Sequence, residues 1–176
     1  MPTKQTFTSG QVLTAAQLNT LQDYIGVVQV KTATKTDTFS MNSTTFADIT
    51  GISVSITPTS ASNKILVLAT INAADPADGT QSFIRLMRDS TAIGIGDTAG
   101  NRIRSTAAGR SPSSTAIVSL GVNFIDSPAT TSATTYKIQI RSSGGNAVYV
   151  NRGNDDGDLT TIPRTISTIT VFEVTP

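Results

Sequence analysis

The feature that most constrains this chain is an alternation of apolar and hydroxylated residues with a period of two. In "GISVSITP", Ile52, Val54 and Ile56 fall on one face and Ser53, Ser55 and Thr57 on the other. That is the pattern of a half-buried strand. "VVQVKT", "STAIVSLGVNFID", "TYKIQIRSS", "NAVYVNR" and "TISTITVFEV" read as further strands. "SFIRLMRDSTAIGIG" reads as a hairpin with Asp89, Ser90 and Thr91 at its turn. "NKILVLATI" is apolar at odd and even positions alike, which predicts a central strand covered on both faces. Gly and Pro punctuate between these runs, as in "SITPTS", "DPADGT" and "IDSPAT". About eight or nine short strands in this rhythm predict a sandwich or jelly roll. A parallel α/β fold needs a helix after each strand, and the pattern holds none.

Composition supports exposed β-surface. Charged residues make up 14% of the chain, against about 25% in an average soluble domain. Ser and Thr together number 49 of 176 residues, so hydroxyls carry most of the polarity. Such a surface can lie against another without stranding unpaired charge. The formal net charge of +1 gives no broad field for nucleic acid. No run approaches the roughly 18 apolar residues of a membrane span. "MPTKQTFTSG" is too polar for a signal peptide. Synthesis in the cytoplasm, without membrane insertion, is therefore expected.

One stretch breaks the period of two. "LTAAQLNTLQDYI", residues 13–25, reads as a short helix, with Thr14 and Gln17 placed as a capping box. Leu18, Leu21, Ile25 and Val28 then follow at spacings of 3, 4 and 3, a narrow seam of the coiled-coil kind. Three turns of helix are marginal alone in water, so the seam must pack on its own domain, on sister copies or on another protein. The expected organisation is an anchor segment over residues 1–26 and a jelly-roll-like antiparallel β-sandwich over 27–176.

The chain lacks His, Cys and Trp, which removes most nucleophilic triads and zinc sites. No cofactor is implied. Carboxylate chemistry remains, with eleven Asp and one Glu, Glu173. Asp75, Asp78, Asp97, Asp126, Asp155, Asp156 and Asp158 all sit in turn-like contexts, where Asp ordinarily bonds the local backbone. A glycosidase pair facing across a cleft cannot be nominated among them, so an enzyme is not expected. "NRGNDDGDL" gathers Asp155, Asp156 and Asp158 around Gly157 and is a weak candidate for a hard cation. It lacks the spacing of an EF-hand, and a solvated loop is the plainer reading. Arg102, Arg104 and Arg110 collect positive charge that could grip phosphate or acidic sugars, against the plainer reading of an exposed loop. Phe83, Phe124, Tyr136, Tyr149 and Phe172 lie inside strand patterns and are expected in the core.

"FTSGQVLTAAQLNTLQDYI", residues 7–25, resembles the opening segment of small bacteriophage virion proteins of the tail-fibre and tail-tip kind. "FIRLMRDSTAIGIGD" is similar to the Arg-Asp-Gly-Thr hairpin of phage jelly-roll fibre heads, with Ser90 in place of the usual Gly. "TISTITVFEV" is similar to their terminal strand. The resemblance covers about a quarter of the chain directly. It implies a homotrimer of jelly rolls, docked to other virion proteins by the N-terminal segment and facing a host-surface glycan or protein. The same features suit a capsid decoration protein that stabilises the shell. A free carbohydrate-binding module is a third reading, one that needs no N-terminal helix.

Overall fold

The structure is a computed structural model that describes residues 8–12, 14–15, 26–76 and 79–176. Eleven strands run through the described residues: β1 (Val27–Lys35), β2 (Phe39–Met41), β3 (Ala47–Ile56), β4 (Lys64–Ala74), β5 (Ser82–Arg88), β6 (Thr91–Ile93), β7 (Ala107–Gly109), β8 (Val118–Asp126), β9 (Thr134–Ser142), β10 (Val148–Val150) and β11 (Ser167–Val174). They form two antiparallel sheets. In the six-stranded sheet β4 is central, with β11 and then β1 along one edge and β8 along the other. The short β10 and β2 extend it beyond the end of β11. The five-stranded sheet runs β3-β9-β5, and β6 and β7 share the free edge of β5 as two halves of an interrupted strand.

The long strands alternate between the sheets in chain order: β3, β5 and β9 in one, β4, β8 and β11 in the other. This is the jelly-roll arrangement expected from the strand rhythm. The core between the sheets is built mainly from Ile and Val, whose branched side chains suit a pleated surface. Ile52, Val54 and Ile56 of β3 and Ile65, Val67 and Ile71 of β4 share one cluster with Ile84, Ile138, Ile140, Ile169 and Val171. The predicted alternation of β3 holds, with Ser53, Ser55 and Thr57 exposed.

Two polar contacts lock the sheets together. Asp126, at the end of β8, accepts the Tyr136 hydroxyl at 2.6 Å and Arg88 Nη1 at 2.9 and 3.0 Å, both from the other sheet. Burial and then this carboxylate push the Tyr136 phenol far above its ordinary pKa. Glu173, fully buried, ties β11 to β1 and to the β3–β4 crossover, accepting Gln29 Nε2, Thr59 N, Thr59 Oγ1 and Asn63 Nδ2 at 2.6–2.8 Å.

The β5–β6 hairpin forms, but its turn is two residues, Asp89-Ser90, because Thr91 already pairs with Arg88. Asp89 takes a positive φ of 52°, as tight hairpins require. The strand stops at Ile93, where Gly94 turns at φ +56° beneath the Phe124 ring, 2.9 Å from where a Cβ would stand.

Three aromatics expected in the core are elsewhere. Tyr136 is buried and Phe124 packs against the core. Phe83, Tyr149 and Phe172 are half-exposed, because strand parity gives the inward positions to their neighbours Ile84, Val148, Val150, Val171 and Glu173. β4 departs from expectation in the same way. It is central and paired on both edges, yet up to Ile71 burial alternates: Ile65, Val67, Ala69 and Ile71 are covered, while Leu66, Leu68 and Thr70 face outward. The five-stranded sheet covers one face of β4, and the other is open at Leu66, Leu68 and Thr70.

Candidate functional site

The open face of the six-stranded sheet is the most distinctive surface of the molecule. Register aligns its outward residues in rows across β1, β11, β4 and β8. One row is Val30, Phe172, Leu66 and Ile125, all apolar. The next is Thr32, Thr170, Leu68 and Asn123, and the third is Thr34, Thr168, Thr70 and Gly121. None of these residues is ionisable. Lys64 stands at the rim, one step beyond Leu66 on β4.

Exposure is high for side chains of this kind: Val28 41%, Val30 49%, Leu68 37% and Ile125 56%. A groove of about 460 Å³ runs between Leu68, Thr70, Gly121, Asn123, Thr168, Thr170 and Phe172. Gly121 keeps its floor open, since a Cβ there would meet nothing within 4 Å.

Some polar atoms of the face are already satisfied within the protein. Thr32 Oγ1 lies 3.0 Å from Thr170 Oγ1 and 3.2 Å from the Ile169 carbonyl. Ser119 Oγ donates to Asn72 Oδ1, and Asn72 Nδ2 donates to the Ile166 carbonyl at 2.6 Å. Burying an unpaired hydroxyl or amide costs about 1–3 kcal/mol, and these bonds avoid that cost at Thr32, Thr170, Ser119 and Asn72. With no charge in the three rows, another apolar or hydroxylated surface can cover the face without stranding an ion.

Of the seam expected in the N-terminal helix, Leu18, Leu21 and Ile25 lie outside the described residues. Val28 does not continue a helical seam. It is in β1, at the bulge between the Val27 and Gln29 pairings, and belongs to the edge of the open face. Arg104 and Arg110 flank β7. Arg104 donates Nε to the Gly96 carbonyl at 2.6 Å and is thereby held to its own loop. Arg110 passes beside Gly79 at the far end of β5. Arg102 lies in a turn closed by its own N–H on the Ala99 carbonyl at 3.2 Å.

The acidic loop is organised by arginines. Asp156 pairs with Arg164 at 2.7 Å and with Arg152 at 3.7 Å, and Arg152 also stacks on the Tyr149 ring at 3.9 Å. Asp155 Oδ1 accepts the Gly157 N–H at 3.1 Å. Asp155, Asp156 and Asp158 do not converge on a point, and no group of three acidic side chains does so among the described residues. Asp75 and Asp126 are not the turn residues expected. Asp75 is fully buried, accepting the Ser111 N–H at 3.1 and 3.2 Å, and Asp126 is the buried strand-end partner of Tyr136 and Arg88.

No protein-family model and no curated protein sequence matches the chain. Solved structures do. The D431N mutant VP2 protein of infectious bursal disease virus aligns at a TM-score of 0.44 and 18% identity, covering 82% of this chain and 36% of that one. The VP2 subviral particle of the same virus aligns at 0.43 and 15%, covering 84% and 38%. Eiger TNF from S. frugiperda aligns at 0.33 and 12%, covering 82% and 92%. The chain thus spans just over a third of the length of the VP2 chains it aligns with. No helix among the described residues is long and apolar enough to cross a membrane.

Proposed function

We propose that this chain is a bacteriophage virion structural protein: a trimeric tail-fibre or tail-tip adhesin, anchored through residues 1–26 and presenting its β-domain to the host surface. The uncharged open face of the six-stranded sheet carries the assembly part of this reading. The resemblance of residues 7–25 to phage virion proteins supports its place in a particle.

Four strands about 4.8 Å apart and about 20 Å long give the face a footprint on the order of 400 Å². That is within the roughly 300–600 Å² of the largest patch on a typical monomer. It is about half of the roughly 800 Å² that each partner of a standard interface buries. In this reading the N-terminal segment supplies the remainder, with Leu18, Leu21 and Ile25 as its seam and Val28 joining the seam to the sheet. Arg102, Arg104 and Arg110 form a loop surface available for recognition.

Light scattering tests assembly directly. The whole chain should run at three times 18.3 kDa, and a chain carrying Leu68→Asp and Ile125→Asp should run as a folded monomer. A wild-type monomer, or an unchanged trimer in the doubly substituted chain, overturns the role given to this face. Immunogold labelling of particles separates a tail position from a shell-stabilising capsid decoration.

A further inference from the structure

The outward side of the five-stranded sheet, on the opposite side of the sandwich, is built differently. Register sets Phe83 of β5 opposite Arg141 of β9 and Arg85 opposite Gln139, with Asp48 of β3 on the other side of Gln139. The Phe46 ring carries two guanidinium groups, Arg85 at 4.3 Å and Arg141 at 5.8 Å from its centroid, and Arg141 also stands 5.7 Å from the Phe83 ring. Ring faces attract each cation, yet the two cations repel one another.

Asp48 is the carboxylate that acts on Arg85, and both its oxygens already accept a hydrogen bond. Oδ2 accepts Lys137 Nζ at 2.7 Å and Oδ1 accepts Gln139 Nε2 at 2.6 Å. Arg85 Nε donates to Gln139 Oε1 at 2.8 Å and Arg141 Nε to the Ser142 carbonyl at 2.9 Å. Among the described residues, the terminal nitrogens of both arginines have no hydrogen-bond acceptor. Partial burial pulls the Arg85 pKa down against the opposing influence of Asp48, so its charge is incompletely solvated.

We infer that Arg85 and Arg141 form an anion clamp that binds the carboxylate or sulfate groups of an acidic polysaccharide. Phe46 and Phe83 hold the two guanidinium groups in place for bidentate contact, the geometry in which arginine grips such anions. A polymer suits the site better than a lone anion, because the face is flat and half-exposed and repeated weak contacts multiply. Lys137, about 13 Å from Arg141 along β9, is paired with Asp48 and adds no free charge to that line. Nucleic acid suits it less well, because the Phe46 ring is already stacked by guanidinium instead of standing free for bases.

The clamp and the open sheet face lie on opposite sides, so both can be occupied at once. The inference goes beyond the proposed function and does not require it, since binding is read on the purified chain whatever particle it belongs to. The probes are polygalacturonate, dextran sulfate, neutral dextran and a single-stranded oligonucleotide, titrated calorimetrically at low salt against the full chain. The acidic polymers should bind and neutral dextran should not. Arg85→Gln with Arg141→Gln should weaken binding by about tenfold or more, as expected when two charge-assisted donors are removed. Lys31→Gln with Lys64→Gln, which removes the same charge elsewhere, should leave binding within about twofold. Asp48→Asn should tighten it, and this arm remains decisive if the double arginine variant fails to fold. Equal binding of acidic and neutral dextran, equal loss in the two double variants, no tightening in Asp48→Asn, or tighter binding of the oligonucleotide would each overturn the inference.

Discussion

Replacing Glu173 with Gln is the sharpest test of how this sandwich is held closed. The carboxylate is fully buried and no cation pairs with it among the described residues. Burial alone would raise its pKa. The hydrogen bonds from Gln29, Asn63 and Thr59 outweigh burial and bring it from 4.5 down to about 2. At about 1.4 kcal/mol per pH unit, the ionised form then contributes about 3 kcal/mol to folding at neutral pH.

Glutamine has the same shape but only one acceptor oxygen, so an amide N–H2 must face a donor. The substitution should cost about 3 kcal/mol, or about 9 °C in Tm for a chain of this size. Because the folded pKa is depressed, this contribution is present in full above about pH 4.5 and is lost as pH falls toward 2. The gap between wild type and variant should shrink to about half by pH 3 and nearly close by pH 2. Circular-dichroism melts of both proteins from pH 7 to pH 2 measure it. Melting temperatures that agree within a degree at pH 7, or a gap that does not narrow in acid, would refute the reasoning.

Other substitutions probe single contacts. Asn151, fully buried at φ 66°, donates Nδ2 to the Lys35 and Asp37 carbonyls at 2.9 Å and accepts Ser167 Oγ at 2.6 Å. Asn151→Asp turns that donor into an anionic oxygen facing two carbonyls and should cost about 3 kcal/mol or more by urea unfolding. Tyr136→Phe removes the hydroxyl held by Asp126 and should cost about 1–3 kcal/mol, with no loss of β-sheet signal before the cooperative transition. Gly94→Ala places a Cβ 2.9 Å from Phe124 at a φ of +56° and should lower stability by about 1–3 kcal/mol. Serine at the same position should be no better tolerated.

The strands were legible because alternation in "GISVSITP" or "TISTITVFEV" is a direct consequence of pleat geometry. What alternation does not say is which of two faces is covered. In β11 the inward set is Ile169, Val171 and Glu173, while Phe172 faces out. Composition alone would assign the phenylalanine inward and the glutamate outward. The decision comes from donors on Gln29, Thr59 and Asn63, residues distant in sequence. β4 misled in a related way. "KILVLATI" is apolar on both faces because one meets the core and the other remains open, and the same residues would serve a strand buried on both sides.

The clamp of Arg85 and Arg141 was equally hidden. Its members come from β5, β9 and the approach to β3, whereas the basic run around Arg102 to Arg110 was visible because it is contiguous. Contiguity shows charge density along the chain, but it does not show which charges are left without partners. The acidic loop gives the reverse case: Asp156 looked like an oxygen ligand until Arg152 and Arg164 closed on it.

The place of β11 between β1 and β4 has a consequence for how the chain reaches this state. Thr32 and Thr170, whose hydroxyls touch, are 138 residues apart, and β11 is the last of the eleven strands to be made. Until it arrives, β1 has no neighbour in its sheet, and β4 presents an unpaired edge together with its leucine-rich outer side. Pairings of such long sequence separation are slow to close, and unpaired strand edges invite association with other chains. The sheet is completed only after the other ten strands have been made, so copies emerging close together on one message would meet with these edges and faces still uncovered.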